Sequence, residues 1–278
     1  MVQKVSSVLP LLLFGAQAPR VNNTSMRAKH LATKSLSHAS GRSSFLGREA
    51  AVMSFAEFQE KLARPTLLFK PQVSHQSVQE PEPVGSSFGT ITHGSADEEW
   101  PSWQQRKLWP VLQLNLSGTP FRPKGLEDVA FLTLFADPDQ ISAGDEMGTT
   151  WELRCYRSLH SLKPLAPPDT HSPMKPINLD HPVLAEDYPT LEVQNLGLSQ
   201  STWEQFRNQH PTQAGIKVGG WPQIDHPEEL SLLCKDHPAK PRFLIQVCCA
   251  EPNWGRAYLS RGTSAGYKNT WYFDWCKP

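Results

Sequence analysis

One pattern occurs once in each half of the chain: a glycine-rich, Trp/Pro-bearing loop runs into an apolar strand with a single central glutamine. The first copy is Gly85-Ser86-Ser87-Phe88-Gly89, then Trp100-Pro101 and Trp109-Pro110, then Val111-Leu112-Gln113-Leu114-Asn115. The second is Val218-Gly219-Gly220-Trp221-Pro222 followed by Phe243-Leu244-Ile245-Gln246-Val247. About 130 residues separate them, too far for a solenoid period, so the pattern predicts a duplicated fold with two related lobes.

An amide in an apolar strand costs stability unless its donor and its acceptor both find partners. Gln113 and Gln246 are therefore expected to hydrogen-bond a neighbouring loop backbone and hold the glycine loops in place. The tryptophans admit two readings, as core and inter-lobe filler or as the lining of a groove. On the second reading Gln113, Trp221, Gln246 and Trp254 are the candidate ligand-binding residues.

The 25 prolines are nearly double the average usage of about 5% and imply many short elements joined by rigid turns. Ser54 with Glu57 reads as a capping box opening a helix on which Phe55, Phe58 and Leu62 share a face, ended by Arg64-Pro65. Residues 71–107 read as loop. Residues 111–116, 130–135 and 151–156 read as strands, with Asp137-Pro138-Asp139 as the turn after the second.

Residues 162–189 hold seven prolines and little periodicity, the pattern of a linker between lobes at 53–161 and 190–278. The second half opens with another capping box, Ser201 with Glu204, on a helix stopped by Pro211. Asp225 as N-cap and Pro227 as first helical residue start a third helix. Strands are expected at 242–249, 257–260 and 270–276. Strands outnumber helices without a βαβ rhythm, so the fold class is α+β: mainly antiparallel sheet in two pseudo-repeated lobes, with a few short helices.

Several of these motifs together resemble the YwqG-like family, a largely bacterial domain of unknown function. They are Lys217-Val218-Gly219-Gly220-Trp221-Pro222, Phe243-Leu244-Ile245-Gln246-Val247, Trp254-Gly255, the terminal Asp274-Trp275-Cys276 and Leu132-Thr133-Leu134-Phe135-Ala136-Asp137. The likeness spans roughly residues 60–278. It implies a single domain over 53–278 and carries no catalytic residue across. Cys248 and Arg256 stand where the family pattern leads one to expect acids.

Formal charge is zero overall but uneven: residues 1–52 hold seven Lys/Arg against Glu49 alone, leaving residues 53–278 at −6. A mildly acidic body gives no electrostatic reason to expect a nucleic-acid or anionic-membrane partner. No window reaches the roughly 18 apolar residues of a membrane span. Lys4, the apolar run at 8–15 and Ala16-Gln17-Ala18 imitate a signal peptide, while the acid-free stretch to Arg48 imitates a transit peptide. The reading favoured is a start codon placed too early, with Met53 the true start and residues 1–52 a disordered extension. Five cysteines without C-x-x-C spacing fit a reducing, cytoplasmic compartment.

Gly262-Thr263-Ser264-Ala265-Gly266 matches a nucleophile-elbow pattern, yet no histidine follows Ser264, so the segment reads as a hairpin loop. Cys234 and His237 have a zinc-compatible spacing, but adjacent Cys248 and Cys249 on a strand point to opposite faces, leaving too few convergent ligands. Asp137 and Asp139 read as turn formers. No metal or cofactor is expected. The sequence thus favours a non-catalytic binding or protein-interaction module with an unknown protein or small-molecule ligand. The alternative is a hydrolase or transferase whose site gathers dispersed residues such as Asp274, Gln246, Asp137 and Arg256 in the inter-lobe cleft.

Overall fold

The computed structural model describes residues 55–72, 84–142, 144–167, 174–190, 199–224, 236–248 and 254–276. The expected cap at Ser54, the helix starting at Asp225, Cys234, Cys249 and the whole 1–52 segment lie outside them. In chain order the described elements begin with α1 (Phe55–Leu62), β1 (Arg64–Phe69), β2 (Ser86–Phe88), β3 (His93–Ser95), β4 (Ser102–Trp103) and β5 (Arg106–Lys107). β6 (Trp109–Asn115), β7 (Phe131–Ala136), β8 (Trp151–Tyr156), β9 (Leu162–Pro164), β10 (Ile177–Leu179) and β11 (Val183–Asp187) follow. The remainder is α2 (Gln200–Gln209), β12 (Ile216–Gly219), β13 (Arg242–Cys248), β14 (Arg256–Arg261) and β15 (Trp271–Cys276).

Two antiparallel sheets dominate, one of six strands ordered β11-β1-β12-β13-β14-β15 and one of five ordered β10-β2-β6-β7-β8. β7 is buried along its whole length, as a continuous apolar run in a strand covered on both faces should be. β6 and β13 each carry a bulge, between Pro110 and Leu112 and between Phe243 and Ile245, close before the central glutamine.

A single apolar cluster draws from both sheets, including Leu112, Leu114, Leu132 and Leu134 from one and Val218, Ile245, Val247 and Leu259 from the other. Aromatic rings close the seam: Phe88 meets Trp254 edge-on at 6.1 Å, and Trp151 stacks on Phe273 at 5.3 Å. Each such ring buries about 150–250 Å² and adds about 0.5–1.5 kcal/mol beyond its area. The two helices pack together instead, with Phe58, Leu62, Trp203 and Phe206 around Tyr188.

Several sequence expectations are corrected here. The stretch 71–107 contains four short strands, β2 to β5. β1 begins directly after α1, with Pro65 near its start, where a missing N–H is tolerated. α2 is capped by Ser199, whose hydroxyl accepts from the Thr202 N–H, rather than by Ser201. The stretch 162–189 supplies β9, β10 and β11, of which β10 joins the five-stranded sheet and β11 the six-stranded one. The six-stranded sheet also contains β1, from the first sequence half. Among the described residues no helix is long and apolar enough to cross a membrane.

Candidate functional site

The two glutamines are built alike. Gln113 lies opposite Ser87 of β2 and Gln246 opposite Lys217 of β12. The Gln113 side chain accepts from the Thr92 and His93 N–H groups at 2.9 and 3.3 Å and donates to the Gly85 carbonyl at 2.8 Å. Gln246 accepts from the Gln223 N–H at 2.8 Å and donates to the Gly215 carbonyl at 3.1 Å. Each amide thus ties the chain entering the neighbouring strand to the loop leaving it. Their exposures, 2% and 0%, leave no surface for a ligand. A buried amide satisfied at both ends contributes about 1 kcal/mol per bond, and its loss would orphan three backbone groups at Gln113 and two at Gln246.

Trp221 follows two glycines in left-handed conformation, Gly219 (φ +82) and Gly220 (φ +71). A Cβ at Gly220 would collide with the Asp187 carboxylate, so that position requires glycine on two counts. Asp187 Oδ2 accepts from Lys217 Nζ at 2.8 Å and from the Trp221 N–H at 2.7 Å. Its Oδ1 accepts from the Gln213 and Tyr188 N–H groups at 2.7 and 3.0 Å. Both side chains of the pair are fully buried. Burial pushes the Lys217 ammonium below its ordinary range, with the Asp187 charge pulling the other way. The Trp221 indole donates to the Leu62 carbonyl at 2.7 Å, and the Arg64 guanidinium lies 3.3 Å from its ring centroid. Trp221 therefore staples the loop to α1 and β1.

Trp254 is buried between Phe88 and Trp275 and donates to the Val247 carbonyl. Of the dispersed polar set, Gln246 and Asp274 occupy one register row across β13, β14 and β15, with Tyr258 between them. Gln246 and Arg256 both bond the Gln223 backbone, as does the Tyr258 hydroxyl. Asp137 stands apart on the other sheet, where Arg106 bridges it to Asp139. His237 accepts from the Ala239 N–H, and Ser264, in the β14–β15 connection, donates to the Pro238 carbonyl before β13. Among the described residues no group of three His, Cys, Asp or Glu side chains converges on one point.

An open cleft of about 400 Å³ lies elsewhere, where the start of β13 and the end of β14 meet the loop between β6 and β7. Among the described residues four cations line it, Lys124, Arg242, Arg261 and Lys268, with Glu127 the one carboxylate and Leu244 the one large apolar side chain. Arg242 and Arg261 are direct cross-strand partners. Arg261 is fixed by bonds to the Lys268 carbonyl, the Gly125 carbonyl and Asn269 Oδ1 at 2.7, 2.8 and 2.8 Å. The guanidinium of Arg64 is pushed down by burial and then by the charge of Arg242, with the Asp187 charge pulling the other way. Sequence reading missed these residues, because they come together only through strand register and a loop more than 100 residues away. No family model matches the chain, and no curated protein matches it.

Proposed function

We propose that the protein is a non-catalytic binding module of two pseudo-repeated lobes, related to the YwqG-like family by the motifs quoted above. The observation that carries the binding reading is the open cationic cleft, set in a frame whose glycine loops are locked by internal hydrogen bonds. Arg261, held by three bonds beside preformed space, is the kind of donor a binding site needs, since it has little ordering entropy left to lose on association.

The duplication draws support from register. Gly85, Ser87, Gln113, Thr133 and Arg154 correspond in position to Gly215, Lys217, Gln246, Tyr258 and Asp274. Trp151 and Trp271 then head equivalent strands, and both bulges begin three residues before the glutamine.

The enzymatic alternative draws on Gln246, Arg256 and Asp274 sharing one sheet. Its weakness is that Gln246 and Arg256 are already engaged by the Gln223 backbone. A thermal-shift screen of the full chain against metals, nucleotides, sugars and peptides tests the module reading, because a ligand selective for the native state raises its apparent stability. Turnover of any bound compound, abolished by Asp274→Asn in a protein that still folds, overturns it.

A further inference from the structure

We infer that the cleft between the β13–β14 strand ends and the β6–β7 loop binds a phosphorylated sugar or polyol, its phosphate bridging Arg242 and Arg261. This rests on the binding-module reading and adds the ligand class.

Charge in this cleft is placed against its own interest. Like charges directly opposite each other in an antiparallel pair destabilise a sheet, and Arg242 and Arg261 stand in that relation. Lys124 and Lys268 line the same space and Glu127 is the only counter-charge among the described lining residues, although residues 53–278 as a whole are acidic. Glu127 is itself engaged, accepting from the Gly125 N–H at 2.6 Å. Arg242 and Lys268 make no side-chain hydrogen bond or ion pair among the described residues, so both have donors to offer.

An anion placed between the two arginines would turn the repulsion into two charge-assisted contacts, the geometry in which guanidinium groups recognise phosphate. Arg261 is already oriented by three bonds, which makes it the fixed half of the clamp.

Size and lining narrow the ligand. About 400 Å³ is more than a lone phosphate fills and falls in the range of small-molecule sites. Among the described lining residues none is aromatic, so they offer no platform on which a nucleobase would stack, whereas the Thr263 hydroxyl, which donates to the Lys240 carbonyl, keeps its lone pairs for a ligand hydroxyl. Lys124 and Lys268 provide charge for a second anionic group.

The test is thermal unfolding and calorimetric titration of the full chain with fructose 1,6-bisphosphate, ATP, inorganic phosphate and heparin as probes. The bisphosphate is expected to raise the melting temperature by about 5 °C near a hundred-fold excess over Kd. Arg242→Gln and Lys268→Gln should each weaken it at least about tenfold, while Lys163→Gln, on a different sheet, should not. Affinity should also fall as salt rises. Stronger binding of ATP or heparin, or a bisphosphate shift untouched by Arg242→Gln, overturns the proposal. Binding only of uncharged ligands overturns it too, yet leaves the binding-module reading standing. Catalytic turnover at Asp274 would remove that reading instead.

Discussion

Two charge pairs on the six-stranded sheet are treated in opposite ways. Asp187 and Lys217, on β11 and β12, are sealed from water, and each Asp187 oxygen accepts two hydrogen bonds. Arg242 and Arg261, on β13 and β14, face one another with the same sign at the edge of open space. Burying an ion pair is tolerable only when geometry and extra hydrogen bonds offset desolvation, and the first pair meets that condition. In the second pair Arg261 ties loops together through three bonds, but Arg242 makes no side-chain hydrogen bond or ion pair among the described residues. Polar groups that complete one another internally hold the loops in place; charges left in mutual repulsion mark where a partner belongs.

The sharpest way to break the comparison is Asp187→Ala. It leaves the Lys217 ammonium buried without its partner and frees the Trp221 and Gln213 N–H groups, which should cost about 3–5 kcal/mol. Chemical denaturation should show a midpoint far below wild type at unchanged slope. Unchanged stability would mean that the knot is not structural.

Gln246→Leu should come next, at about 2 kcal/mol, because it orphans the Gln223 N–H and the Gly215 carbonyl. The matching change Gln113→Leu should cost a similar amount if the two amides are equivalent clamps. A large difference between them, measured in the same denaturant series, would break the equivalence.

Arg242→Gln should move stability the other way. Removing a cross-strand like-charge contact is expected to stabilise the unliganded protein by about 0.5 kcal/mol, an effect that should shrink as salt screens the exposed charges. Destabilisation would show that Arg242 has an internal role.

The smallest effect belongs to His93, whose backbone N–H meets Gln113 and whose ring is pushed below its ordinary value by burial. Between its depressed folded value and 6.5 the unfolded chain binds more protons, so stability should rise with pH across that window. His93→Gln should flatten this slope slightly, as read by melting temperature between pH 5 and 7.

The strands of strong apolar pattern were legible in the sequence: β6, β7, β8, β13, β14 and β15 fall within two residues of their expected bounds. So was the way Gln113 and Gln246 are satisfied, since a buried amide dictates its own partners. β2, β10 and β12 were not, because three or four residues beside proline or glycine give no period to read. The Asp187 knot was hidden for another reason. Its partners, Gln213, Lys217 and Trp221, lie 26 to 34 positions away, and nothing local marks Asp187 as the acid they share. The cleft was the least legible, because facing arginines are a property of register: one residue of slip would send Arg242 to the other face.

One melting experiment separates the two kinds of site directly. The shift produced by saturating fructose 1,6-bisphosphate should be measured in Gln246→Leu and Arg242→Gln proteins side by side. The account predicts that Gln246→Leu melts lower than wild type but keeps the full ligand shift, while Arg242→Gln melts at or above wild type and loses it. A shift lost in Gln246→Leu and kept in Arg242→Gln would contradict it.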